Sequence, residues 1–128
     1  MQATGLCSFG AFLESAGEGL PQLKDFMNAV TGWNVTDSDI LLVGNRIATM
    51  RQAFNVRAGF KPSDFKFPDR VLGKPPLESG PLAGVTIEPE KQVEEYFKSM
   101  GWGVKTGKPS RKKLAELELE DVAKDFWK

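Results

Sequence analysis

Between Phe60 and Glu88 the chain carries Pro62, Pro68, Pro75, Pro76 and Pro81 together with Gly73, Gly80 and Gly84. Proline fixes its own φ, donates no amide hydrogen and disfavours helix in the residue before it, so no helix or strand of ordinary length fits here. Long regular elements are confined to the flanks. A connection of this length is unusual inside a domain unless it is functional or disordered. Phe60, Phe65, Phe67, Val71 and Leu72 argue against disorder, because each gains about 1.5–3 kcal/mol by burial. The expectation is an ordered strap laid over a helical body.

On the flanks, apolar residues recur at helical spacing. Leu6, Phe9, Phe12 and Leu13 predict a short first helix, broken by the Gly and Glu residues from Glu14 to Gly19. Pro21 suits the first position of a second helix, whose Leu23, Phe26, Met27 and Val30 form a face expected to be buried and which Gly32 ends. Thr36 and Asp39 make a capping box with Asp in place of Glu. They predict the start of a long helix with an apolar stripe of Ile40, Val43, Ile47, Met50 and Phe54, stopped at Gly59. Beyond the strap, Pro89 opens a helix with Val93, Tyr96, Phe97 and Met100, Gly101 closes it, and Trp102 is placed to fold back on its last turn. Ser110 caps a helix carrying Leu114 and Leu117, and Val122, Ala123 and Phe126 give the last turns. Val85-Thr86-Ile87 is a short β-like run with no second run to pair with. The fold class is therefore all-α: a single multihelical domain over residues 1–128, with the strap between the central and the C-terminal helices.

Charge narrows the function. Lys plus Arg equals Asp plus Glu at 17 each, so the overall field attracts neither nucleic acid nor an anionic membrane. Arg111-Lys112-Lys113 is the one local basic run. Arg46, Arg51 and Arg57 read as a solvated face with partners elsewhere in the fold. Glu94 and Glu95 are adjacent, so they diverge on a helix and make a poor acid–base pair, expected to be solvated. Gly101 to Pro109 fails the spacing of a phosphate loop. No apolar run is long enough to span a membrane and no signal peptide begins the sequence, so a cytoplasmic location is expected, in keeping with a single cysteine. In that setting Asn34-Val35-Thr36 is a turn and a helix cap rather than a glycosylation site.

That cysteine, Cys7, has two readings. A lone free thiol is commonly a small buried hydrophobe. With no histidine in the sequence a Cys–His nucleophile is impossible, and with one cysteine so is an intrachain disulfide. The remaining chemistry is a thiolate ligand to a metal centre, and an iron–sulfur cluster takes four, of which this chain can supply one.

Gly5-Leu6-Cys7, Gly44-Asn45-Arg46-Ile47, Phe54-Asn55-Val56-Arg57-Ala58-Gly59-Phe60 and Phe67-Pro68-Asp69-Arg70 follow one another in an order seen in one family. Gly80-Pro81-Leu82-Ala83-Gly84, Glu95-Tyr96-Phe97, Gly101-Trp102 and Gly107-Lys108-Pro109 continue it. On this ordered set the chain resembles the C-terminal part of the tungsten-containing aldehyde:ferredoxin oxidoreductases. The resemblance implies a helical domain that packs against N-terminal domains of the same enzyme. Together they enclose a tungsten bis-pterin of the molybdopterin type beside a [4Fe-4S] cluster. Aldehyde and water give the carboxylic acid, and electrons leave through the cluster to ferredoxin. The family motif is Asp-x-x-Gly-Leu-Cys. Carried over, Cys7 is the fourth cluster ligand and Gly5 and Leu6 lie against a pterin. Gln2 stands at the Asp position and offers no carboxylate.

The other three cluster cysteines and the catalytic acid–base groups of such an enzyme lie upstream of this segment. The isolated chain is thus expected to bind neither cofactor and to be inactive, and apolar faces built to meet absent domains would favour self-association. The competing expectation is a non-catalytic helical interaction module that kept the fold and lost the cofactors, which Gln2 favours.

Overall fold

The computed structural model describes residues 21–127. They contain five α-helices and no β-strand: α1 Pro21–Thr31, α2 Asp37–Arg57, α3 Pro89–Ser99, α4 Arg111–Glu116 and α5 Glu120–Phe126, with a 3-10 turn at Pro62–Asp64. The all-α expectation holds. The expected first helix, with Leu6, Phe9, Phe12 and Leu13, lies outside the described residues. Two compact units divide the chain, Met1–Gly44 and Asn45–Lys128.

In the first unit, α1 and the start of α2 are joined by a short link held by side chains. Asn28 donates to the Val35 carbonyl at 3.1 Å and accepts from the Val35 amide at 2.8 Å. The capping box forms as its sequence predicts: the Thr36 amide donates to the Asp39 carboxylate at 2.8 Å and the Asp39 amide to the Thr36 hydroxyl at 3.2 Å. The expected buried face of α1 is different. Leu23 is buried, whereas Phe26 is half exposed and Val30 is 85% exposed. Helical spacing puts these residues on one side but does not supply a surface to cover them.

In the second unit, α2 contributes Asn45 onward. Its buried residues are Thr49 and Ala53, not the predicted stripe, of which Met50 and Phe54 are exposed. The reason is close approach. Gly107, itself buried and with φ +68°, is seated so tightly that a Cβ there would meet Gln52, Val56 and Pro62, and the Gln52 side chain donates to the Gly107 carbonyl at 3.0 Å. Small residues and backbone, rather than bulky apolars, define that face. The core continues through Trp102, Leu114 and Leu117. Ser110 caps α4 as expected, accepting from the Lys113 amide at 3.1 Å.

The end of α3 is a Schellman turn. The Gly101 amide donates to the Lys98 carbonyl at 3.0 Å and the Trp102 amide to the Phe97 carbonyl at 2.8 Å, with Gly101 at φ +69°, a conformation that glycine adopts without a Cβ penalty. The same bonding pattern closes α4, where the left-handed position is filled by Glu118 at φ +53°.

From Phe60 to Glu88 the backbone is held by turn hydrogen bonds, among them Val71 to Pro68 at 2.9 Å and Lys74 to Asp69 at 2.8 Å. Burial does not act here as expected: Leu72 is buried, but Phe60, Phe65, Phe67 and Val71 are exposed. Val85-Thr86-Ile87 is not a strand. The Ile87 amide donates to the Leu72 carbonyl at 3.0 Å, which returns the chain to α3.

Candidate functional site

Among the described residues, the second unit carries a groove of about 590 Å³ between the 62–72 segment and α3. Its floor and one wall follow from the turns above. Asp64 accepts from the Lys61 amide at 2.8 Å, fixing the 3-10 turn. Phe65 follows in extended conformation, and Phe65, Lys66 and Phe67 all line the groove. Leu72 closes the floor, and Pro89, Val93 and Val104 form the facing wall. Phe60 extends the aromatic wall, its ring 6.0 Å from that of Phe65.

The lining also includes the polar residues Ser63, Lys66, Asp69, Glu90 and Glu94. Glu94 is exposed, as expected, and pairs with Lys98 at 2.6 Å. That hydrogen bond and charge hold the Lys98 ammonium above its ordinary pKa. The lining is mainly apolar. Among the described residues no group of three or more His, Cys, Asp or Glu side chains is placed to hold a metal ion.

The cationic residues singled out in the sequence are used in place. Arg46 meets Glu118 and Arg57 meets Asp125, each at 3.4 Å, partners elsewhere in the fold as expected of a solvated face. Arg111 donates to the Trp127 carbonyl at 2.6 Å, and Lys112 and Lys113 lie 3.9 and 3.8 Å from Glu116. Lys108 lies over the Trp127 ring, 3.8 Å from its centroid, while the Trp127 indole donates to the Pro109 carbonyl at 3.2 Å. Gly5, Leu6 and Cys7, the residues assigned by resemblance, lie outside the described residues, as does Gln2. No helix among the described residues is long and apolar enough to cross a membrane.

The groove was not singled out in the sequence. Its one local signal is the Phe65-x-Phe67 alternation ahead of Pro68, and its second wall comes from residues more than twenty positions away.

Comparison with known proteins gives one family. Residues 1–119 match the family model described as aldehyde ferredoxin oxidoreductase, domains 2 & 3. Over 122 residues, 94% of this chain, it is 34% identical to the tungsten-containing aldehyde ferredoxin oxidoreductase of Pyrococcus furiosus. It is likewise 34% identical to that of Pyrococcus abyssi and 33% to that of Thermococcus kodakarensis. In each case the match spans 19% of the relative's length. A family match over nearly the whole sequence and a described body that is all-α agree with each other: the chain belongs to the aldehyde ferredoxin oxidoreductase family, in the part its domains 2 and 3 represent.

Proposed function

We propose that this chain is the C-terminal portion of a tungstopterin iron–sulfur oxidoreductase that converts an aldehyde and water to the carboxylic acid and passes the electrons to ferredoxin. The observation that carries the reading is the family match over residues 1–119, which includes Gly5-Leu6-Cys7. Its donor set fits one corner of a [4Fe-4S] cluster: Cys7 is the only thiol, and the remaining three ligands come from the rest of the enzyme. Gly5 and Leu6 form part of the wall beside the pterin, Gly5 because a residue without Cβ permits close backbone approach. When bound, the tungsten centre supplies the two-electron oxidation of the aldehyde and the cluster the path for electrons outward. The chain's own tasks are to hold one iron through the Cys7 thiolate and to set the cluster potential by hydrogen bonding around the sulfur.

Several exposed side chains support the need for partner domains. Phe54, Phe60, Phe65, Phe67, Leu82 and Val85 are each half exposed or more. They fit faces made to meet the N-terminal domains, and leave the chain by itself prone to self-association. The cytoplasm, where a single thiol stays reduced, suits this role.

A second reading, an interaction module that kept the fold without the cofactors, is favoured by Gln2 alone. One assay separates the two: aldehyde-dependent reduction of ferredoxin by this chain joined to the remaining domains of a family member, and by the chain alone. The oxidoreductase reading expects activity in the joined, metal-loaded protein and none in the chain alone. A joined protein that loads no cofactor and stays inactive leaves the module.

A further inference from the structure

We infer that the loop from Gly101 to Ser110 and the first turn of α4 form a cationic docking surface for an acidic segment of a separate protein, with Lys105, Lys108 and Arg111 as its anchors. The inference goes beyond the oxidoreductase reading and does not depend on it.

The sequence concentrates positive charge here. Lys98, Lys105, Lys108, Arg111, Lys112 and Lys113 follow one another with no Asp or Glu between the first and the last, in a chain whose charges balance overall. The fold leaves that charge uncancelled at the anchors. The Lys108 ammonium lies 3.8 Å from the centroid of the Trp127 ring and the Arg111 guanidinium 5.7 Å from it. An indole orients a cation through its quadrupole but has no net charge with which to neutralise it. Arg111 also donates to the Trp127 carbonyl at 2.6 Å, which leaves further N–H groups of its fork for a carboxylate. Among the described residues neither Lys108 nor Arg111 is ion-paired. The acids that follow in sequence are engaged by other cations: Glu118 by Arg46, Asp121 by Lys124 and Asp125 by Arg57, while Glu116 is shared between Lys112 and Lys113. Glu120 is left against three cations.

The surface is built before a partner arrives. The Gly103 amide donates to the Lys108 carbonyl at 2.9 Å and the Ser110 amide to the Gly101 carbonyl at 3.0 Å. Gln52 holds the Gly107 carbonyl, and the Trp127 indole holds that of Pro109. Docking therefore orders little backbone. Lys105 and Arg111 are exposed and Lys108 is half-buried against its ring, so all three present charge at one loop and helix start. Carboxylates suit them better than nucleic acid does. The aromatic ring among these cations is already engaged by Lys108, which denies a nucleobase its stacking platform.

The test titrates the full chain with a short oligoglutamate peptide and, separately, with a single-stranded oligonucleotide, at low and at high salt. Affinity is read by calorimetry and the site by the indole N–H resonances, with circular dichroism to verify the fold of each variant. Oligoglutamate is expected to bind at low salt and to weaken as salt screens the charges, shifting the Trp127 resonance and leaving that of Trp33 in place. Lys108→Gln combined with Arg111→Gln should weaken binding by roughly tenfold, as for the loss of charge-assisted contacts. Lys105→Gln, which leaves the Trp127 contacts intact, should weaken it severalfold. Lys66→Gln combined with Lys91→Gln removes the same charge elsewhere and should leave affinity within about twofold. If that control weakens binding as much as the anchor variant, the attraction belongs to net charge and the inference falls. If the oligonucleotide binds more tightly than oligoglutamate, the surface serves nucleic acid and the inference is equally wrong. A wild type that binds no oligoglutamate at low salt overturns it outright. None of these results touches the assignment of Cys7.

Discussion

The indole of Trp102 stands edge-on to the ring of Phe97, with 5.5 Å between centroids and a 76° interplanar angle, just after the turn in which the Trp102 amide donates to the Phe97 carbonyl. Backbone turn and side-chain contact fix each other, and Tyr96 adds a second edge contact at 5.7 Å. Trp102→Ala is therefore expected to destabilise the second unit by about 3–5 kcal/mol, the range for deleting a buried aromatic. Gly101→Ala, which keeps the indole but forces a Cβ into a left-handed position beside Lys113, should cost about 1–2 kcal/mol. Urea unfolding of both variants checks the order; equal losses would separate the turn from the packing.

Glu118 occupies a left-handed position in the turn after α4, and its carboxylate lies 3.4 Å from Arg46. The conformation costs roughly 1 kcal/mol for a side chain with a Cβ, and an exposed ion pair returns less than about 1 kcal/mol. Glu118→Gly should then raise stability by about 0.5 kcal/mol despite losing the pair, and Arg46→Ala should lower it by less than 1 kcal/mol. Thermal melts of both variants decide whether conformation outweighs charge, and a destabilised Glu118→Gly would mean that it does not.

Asp39 accepts hydrogen bonds from the Thr36 amide and hydroxyl, which hold its carboxyl below the ordinary aspartate value. A depressed folded-state pKa means that the unfolded chain takes up the proton first as pH falls. The contribution is complete above the unfolded value, near 4, and disappears as pH drops through the folded one. The stability gap between wild type and Asp39→Ala should be constant at neutral pH and narrow below about pH 4. Chemical denaturation across that range measures it, and a gap that does not narrow would mean that the cap works without the charge.

Ser110 caps a six-residue helix that presents Leu114 and Leu117 to the core. Ser110→Ala should cost about 1 kcal/mol. Amide exchange at Lys113, whose donor loses its acceptor, should accelerate more than exchange in α3.

Much of the helical pattern was legible because it is local. The Thr36–Asp39 box, the Ser110 cap and the stops at Gly32, Gly59 and Gly101 are read from side chains and backbone within four residues of each helix end. Which face of a helix is buried is not local. The stripe Met50–Phe54 was legible as apolar, yet Thr49 and Ala53 are buried, and the tight seat of Gly107 against Gln52 and Val56, more than fifty residues away in sequence, shows why. The Pro- and Gly-rich segment was rightly free of long elements, but its aromatic residues, expected to be buried, are exposed. Their exposure reflects what the fold leaves uncovered, whereas hydrophobicity states only a preference. Partners such as Glu118 for Arg46, 72 residues apart, have no sequence signature.

The central claim is that Cys7 holds one iron of a cluster completed by the rest of the enzyme. Its most direct test is the iron and acid-labile sulfide content, with the visible spectrum, of this chain joined to the remaining domains and reconstituted anaerobically, in wild type and in Cys7→Ser. The account predicts a four-iron cluster in wild type, and in Cys7→Ser a lost or altered cluster with correspondingly less iron. A joined protein that carries no cluster, or one whose cluster is unchanged by Cys7→Ser, would contradict it.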